Sequence, residues 1–303
     1  RATLPAMLRE LIISEAMHHL RIPTSRSLAV VKTGEPVFRE QVLPGAVLTR
    51  IMSSHIRIGT FEFANHFGAP SDLHTLLNYT VNRHYPQFNE ESISTKALSL
   101  LKAVIEKQIS LLVQWLRVGF IHGVMNTDNT SISGETFDYG PCAFLNVFKP
   151  DAVFSSIDTN GRYAFDKQAG ILLWNLSVLA NALLPCIDDD KQKAAEKAGA
   201  LLDEFESSFH QQWYQMMFRK IGMNEFGEAD KSLLHELLHI MQLHQLDYTD
   251  TFLWLMKNVE TDVEIAHPLH HWVNNWKSSL KSNHNISLAK ACMQSENPVY
   301  IPR

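Results

Sequence analysis

The 303-residue sequence predicts an α+β fold in which antiparallel strands come early and helices fill the rest. Three observations carry this expectation. Residues 27–52 are rich in β-forming residues punctuated by Gly and Pro. Residues 94–118 repeat apolar side chains at helical spacing. From Ala169 onward the pattern is helical throughout, with no βαβ alternation that would build a parallel sheet.

Taken in order, Pro5 to Leu20 reads as a helix. Met7, Leu8, Leu11, Ile12 and Ala16 form one apolar stripe, Pro5 suits the first turn, and Glu10 and Glu15 flank the stripe. Leu28 to Val31 and Val37-Phe38 read as strands either side of a turn at Lys32-Thr-Gly-Glu-Pro36. Pro44-Gly45 marks a second turn before the strand from Ala46 to Met52. Asp72 to His84 is a predicted helix. Ser94 to Val118 is a long one, with Leu98, Leu101, Val104, Ile105, Leu112, Trp115 and Leu116 on its apolar face and Gly119 placed to end it. Phe120 to Asn129 reads as a loop, and 130–132 with 136–137 as a short β-hairpin around Gly134. Helices are expected at 169–184, 191–219, 229–245, 248–258 and 268–282. His18-His19, His270-His271 and the six tryptophans read as structural, with Trp115, Trp174, Trp254 and Trp272 on packed faces.

Hydrophobic residues make up 45% of the chain and charged residues 19%, a globular composition. The length suggests roughly two domains. A formal net charge of −5 gives no global electrostatic case for nucleic acid. No apolar run reads as long enough to span a bilayer; Ile171 to Leu184 comes nearest, and Asn175 and Asn181 interrupt it. Neither nucleic acid nor a membrane is therefore expected as a partner. The three cysteines are far apart, which favours a reducing compartment over a disulfide scaffold. The chain opens at Arg1 with no signal-peptide pattern, which reads as an internal piece of something longer.

The chemistry concentrates in Phe120-Ile-His-Gly-Val-Met-Asn-Thr-Asp-Asn129 and Asp138-Tyr-Gly140. Mg²⁺ prefers hard oxygen ligands and commonly takes one or two protein carboxylates plus phosphate oxygens. A hairpin between Asn129 and Asp138 would bring both side chains to one end of two short strands. Asp128 would then be free to accept a proton from a nucleophile. The bland alternative is that these Asx residues only cap turns. Their order after a long helix, with His122-Gly123 before and Asp-Tyr-Gly after, instead matches the kinase pair H-R-D-x-x-x-x-N and D-F-G. The match is distorted. Counting from His122, the metal-binding Asn falls on Asn129, but the catalytic-base position is Val124.

His122 to Asn129, with Phe137-Asp-Tyr-Gly-Pro141, resembles the selenoprotein O family of pseudokinases. Further matching stretches are Arg9-Glu10, Ser14-Glu-Ala-Met17, Ile22-Pro-Thr24, Pro44-Gly45 with Arg50, Ser54-His55 with Arg57-Ile-Gly59, Gly161-Arg-Tyr163, Leu173-Trp-Asn-Leu176, Asp247-Tyr-Thr249 and Met293-Gln-Ser295 with Asn297-Pro298. The resemblance runs the length of the chain. It implies a protein-kinase-like fold, with residues 1–90 as the remainder of an N-lobe and 91–303 as a helical C-lobe. It implies transfer of AMP, not phosphate, from a flipped ATP to Ser, Thr or Tyr hydroxyls of proteins, with Mg²⁺ or Mn²⁺. By position, Asp128 resembles the catalytic base, and Asn129 and Asp138 the metal ligands. Arg50 and Arg57 resemble the arginines on the ATP phosphates, and Glu10 the helix glutamate that pairs with the nucleotide-site lysine. That reversed pose needs fixed cations on the outward β/γ end, and Arg supplies forked, permanently charged donors. In the family the glycine-bearing nucleotide loop and its lysine lie upstream of the position of Arg1, and the sequence continues past Arg303. The expectation is that residues 1–303 alone bind ATP weakly and do not turn over. The compartment implied is cytoplasmic for a bacterial source and mitochondrial for a eukaryotic one.

Two other readings compete. A pseudokinase can serve as a nucleotide-binding scaffold without catalysis; Val124 favours this, while the retained Asp128, Asn129 and Asp138 oppose it. Separately, His235-Glu-Leu-Leu-His239 matches the zinc-peptidase pattern H-E-x-x-H, with Glu236 as base and Glu260, Glu264 or His244 as third ligand. A five-residue match arises easily in a chain with 15 histidines, and an amphipathic helix explains it as well.

Overall fold

The structure, a computed structural model, describes residues 1–156, 158–261, 264–283 and 286–302. It is α+β and mostly helical, with two small antiparallel sheets. The described residues divide into two compact units that interleave along the chain. One comprises Arg1–Leu112, Val124–Pro141 and Gln168–Ser207, the other Val113–Gly123, Cys142–Lys167 and Ser208–Arg303.

The first unit opens with helix α1 (Leu4–His19), whose buried residues are Glu10, Ile13, Ser14 and Met17. That face is not the predicted stripe: Leu8 and Ile12 are exposed. A carboxylate can take an interior position only when its charge is matched and its lone pairs are bonded, and Glu10 meets both conditions, as described below. Strands β1 (Arg26–Phe38) and β2 (Val42–Ile51) form one antiparallel hairpin. Both predicted turns lie inside it, and the chain reverses at 39–41. The Lys32–Pro36 signal is a break in register, where Thr33, Gly34 and Glu35 bulge out and Gly34 takes φ +79°. Pro36 pairs with Pro44, so the missing N–H groups fall at one level of the ladder. Gly45 is required there, because a Cβ would come within 2.6 Å of Thr33 Oγ1 and 2.8 Å of the Glu35 carbonyl.

Helix α2 (Ile58–Phe67) has no counterpart in the sequence reading. It is followed by α3 (Pro70–His84) and α4 (Ile93–Arg117). After β3 (Phe120–Ile121), Thr127–Asn129 forms a single 3-10 turn, and β4 (Ala143–Phe144) pairs back onto β3. The predicted hairpin at 130–137 is absent. Ser131 bridges Arg57 and Thr136 bridges Thr24, so this segment is stitched to earlier chain and not to itself.

Helix α5 (Gln168–Ile187) packs against α2, α3 and α6 (Lys191–Asp203). By length and composition alone, Phe165–Ile187 could cross a membrane, contrary to the expectation drawn from its two asparagines; half of the most apolar window is buried in the protein. Asn175 is accommodated by two hydrogen bonds from its amide, to the Met125 carbonyl at 3.1 Å and to Thr130 Oγ1 at 2.9 Å.

The helix predicted over 191–219 is two, because the chain breaks at Glu204 before α7 (Phe205–Lys220). The second unit is built from most of α7 with α8 (Lys231–Leu243), α9 (Tyr248–Asn258), α10 (His270–Asn283) and α11 (Ile286–Glu296), the last unforeseen. Its core centres on Trp272, Trp276 and Tyr248, whose polar atoms bond the carbonyls of Leu233, Ile221 and Leu116. Lys220 is buried among them. Its amine donates to the Arg117 carbonyl at 2.8 Å and lies 4.1 Å from the Phe252 ring centre, and burial holds its pKa well below the usual lysine value. Trp174, expected on a packed face, is exposed.

Candidate active site

All six predicted site residues fall in the first unit, in two clusters. The first surrounds Asp128. The start of α2 is fixed to the 3-10 turn by the Ile58 N–H on the Thr130 carbonyl at 2.9 Å, and the Arg57 N–H donates to Thr60 Oγ1 at 3.1 Å. Thr127 donates from its hydroxyl to Glu62 Oε2 at 2.9 Å, tying the turn to the next residues of the helix. These bonds press Asp128 onto Gly59. A Cβ at Gly59 would lie 2.5 Å from Asp128 Oδ1 and 3.1 Å from its Cγ, so any larger residue would push the carboxylate off this position. The positive end of the α2 dipole favours an anion at this spot. Arg57 Nη1 stands 3.9 Å from Asp128 Oδ1, and the Asp128 side chain is 68% exposed. The arrangement is an accessible carboxylate on a rigid support, able to accept a proton from a group arriving from solvent.

Asn129 follows in the same turn. Its amide nitrogen donates to the Val124 carbonyl at 3.0 Å, which leaves the side-chain oxygen as the atom it can offer to a cation. Val124, at the kinase base position, thus holds Asn129 through its backbone.

The second cluster surrounds Glu10. Arg50 Nη2 donates to Glu10 Oε2 at 2.8 Å, and the Tyr139 N–H donates to Glu10 Oε1. Burial pushes the Glu10 carboxyl above the usual glutamate value, and the Arg50 charge and hydrogen bond oppose that rise. Glu10, expected to pair with a lysine, pairs here with Arg50. Arg50 also lies over the Phe137 ring, 5.3 Å from its centre. Asp138 sits between Phe137 and Tyr139 with φ +64°, a left-handed conformation that costs a non-glycine residue free energy and is held by its neighbours. Those neighbours are specific. Arg9 Nε donates to the carbonyls of Tyr139 and Gly140 at 3.1 and 3.0 Å, the Ser25 and Thr136 backbones pair, and Thr24 shares a hydrogen bond with the Tyr139 hydroxyl.

The sequence reading missed Gly59, Glu62, Thr127 and Asn175 as parts of this construction. Gly59, Thr127 and Asn175 lie inside stretches that carry the resemblance, but only the fold reveals what they touch. The other sequence motif is not assembled. His235 and His239 are exposed on α8, His235 Nε2 pairs with the Tyr214 hydroxyl at 2.9 Å, and among the described residues no three His, Cys, Asp or Glu side chains gather to hold a metal. A cavity of about 200 Å³ in the second unit, bordered by Asp247, Asp250, Trp254 and His267, includes none of the predicted site residues.

The family model for protein adenylyltransferase SelO matches residues 1–303. Proteins named protein nucleotidyltransferase YdiU are similar over the whole chain: that of Anoxybacillus flavithermus is 48% identical over 304 residues, that of Pelagibacter ubique 48% over 308, and that of Clostridium botulinum 48% over 306. The chain spans 62%, 63% and 62% of the lengths of these three curated relatives. A family match from the first residue to the last, on a chain whose signature segments form the two clusters just described, leads to one conclusion: the chain belongs to the SelO family of protein adenylyltransferases.

Proposed function

We propose that the protein transfers AMP from ATP to Ser, Thr or Tyr hydroxyls of other proteins, on a protein-kinase-like fold in which residues 1–90 contribute to the N-lobe and 91–303 form the C-lobe. The observation that carries this is the exposed Asp128 carboxylate, seated on Gly59 at the start of α2 with Arg57 beside it. The naming of the matching relatives as nucleotidyltransferases supports it.

In this reading Asp128 takes the proton from the acceptor hydroxyl. The hydroxyl oxygen bonds to the α-phosphorus, the bond from that phosphorus to the α–β bridging oxygen breaks, and pyrophosphate leaves. Arg50 and Arg57 fit the phosphates on an independent observation: each has a buried Nε with no acceptor, and phosphate oxygens are acceptors. Arg50 would keep its Glu10 bond through Nη2 while offering Nε. Asn129 Oδ1 and the Asp138 carboxylate are hard oxygen donors suited to Mg²⁺ or Mn²⁺, and such an ion neutralises charge on the phosphates. Val124 in place of the kinase base argues against phosphoryl transfer and leaves Asp128 free for this role.

The test is transfer of label to protein from ATP labelled at the α position, using full-length protein with Asp128→Ala as control. Label arriving instead from the γ position would refute adenylyl transfer.

A further inference from the structure

We propose that the outer face of α2 is the docking surface for the polypeptide substrate, through Phe63 and Phe67; this rests on the adenylyl-transfer reading above. The two side chains are 65% and 78% exposed, and their rings touch with centres 5.1 Å apart, forming one apolar platform. The helix beneath them is anchored, since Ile58 and Phe61 on its other side are fully buried. Gly59, Phe63 and Phe67 recur every fourth residue and therefore share one stripe of the helix. Gly59 is the residue on which Asp128 rests. The stripe thus runs from the carboxylate that meets the acceptor hydroxyl to the aromatic pair.

Helical rise puts Phe63 about 6 Å and Phe67 about 12 Å beyond Gly59 along the axis. An extended peptide advances about 3.3 Å per residue, so a side chain about two to four residues from the acceptor reaches the rings. The partner that fits is a segment carrying a hydroxyl residue with Leu, Ile, Met or Phe at that spacing. A second copy of the chain fits less well. Two Phe side chains supply at most about 300–500 Å², against about 800 Å² per partner for a stable interface. An area of that size suits a substrate that must leave.

The experiment uses full-length protein, α-labelled ATP and short serine peptides that carry Leu or Gln about three residues to either side of the serine. Phe63→Ala/Phe67→Ala is expected to raise KM for the better Leu peptide about tenfold, towards that of its Gln counterpart, with kcat and the KM for ATP unchanged. Equal KM values for wild type and variant on every peptide would overturn the proposal. So would a change in sedimentation from dimer to monomer in the variant, which would assign the face to a second copy. If wild type transfers α label to neither peptide nor protein, the adenylyl reading fails by itself; if it labels protein alone, that reading stands. Fluorescence anisotropy of the labelled Leu peptide then decides the docking: binding that weakens about tenfold in the variant supports it, and binding indifferent to the two Phe residues overturns it.

Discussion

Replacing Gly59 with alanine separates the support of Asp128 from the stability of the fold. The new methyl would sit 2.5 Å from Asp128 Oδ1 and 3.1 Å from Cγ, and ordinary contact begins at 3.4 Å. The carboxylate must therefore retreat by about 1 Å. Its side chain is 68% exposed, so it has open space to move into and the fold loses little. Alanine is the better helix former and is worth up to about 1 kcal/mol over glycine at a compatible site. A misplacement of about 1 Å at a reacting group, by contrast, costs on the order of 100-fold in rate. The expected signature is a midpoint of thermal unfolding equal to or above wild type, with label transfer from α-labelled ATP reduced about 10- to 100-fold. The assay is initial-rate transfer by the full-length variant, beside calorimetry on the same preparation. Wild-type rates in a folded Gly59→Ala protein would refute the argument that this contact positions Asp128.

Three other perturbations read other parts of the structure. Asp138→Ala is expected to abolish metal-dependent nucleotide binding in the full-length protein; titration calorimetry giving unchanged affinity would remove Asp138 from the metal site. Glu10→Gln should alter the pH profile of stability. Burial raises the folded Glu10 pKa above 4.5, so the folded protein holds the proton more tightly than the unfolded chain, and stability falls as pH rises from 4.5 through the folded value. The Gln variant should lack that fall when melting is followed across mildly acidic pH. Lys220→Met should act at the other end of the scale. Its folded pKa lies below 10.5, so the unfolded chain binds more protons and wild-type stability rises as pH climbs towards 10.5. Urea unfolding of the variant should show that slope flattened.

Much of the fold was legible because periodicity reports burial. α4 and α9 formed close to their predicted limits, since their apolar residues recur along one side. α1 formed where expected, yet its interior face includes Glu10 and Ser14, which no hydropathy pattern selects. Glu10 is buried because Arg50, 40 positions away, and Tyr139, 129 positions away, satisfy it. α2 escaped notice for a related reason. Ile58-Gly-Thr-Phe-Glu-Phe63 alternates aromatic and polar residues like a strand, and two of the helix's three phenylalanines, Phe63 and Phe67, face outward. The β-hairpin was misread at its turns because Gly and Pro signal a departure from regular pairing without saying whether the chain reverses or only bulges. In the candidate site, local motifs singled out Asp128, Asn129 and Asp138 as candidates. The contacts of Gly59 with Asp128 and of Asn175 with Met125 and Thr130 join distant segments, so spacing within either segment carries no trace of them.

Asn175 has a different value in lipid and in the folded protein. By length and composition α5 is an apolar segment long enough to span a bilayer. In hydrocarbon its amide would be without partners, at a cost of several kcal/mol, whereas in the folded protein it holds Met125 and Thr130 on the turn that carries Asp128. One buried polar side chain on an otherwise apolar helix therefore braces the turn that carries Asp128. An apolar replacement such as Asn175→Leu would fit α5 better by hydropathy while loosening the turn.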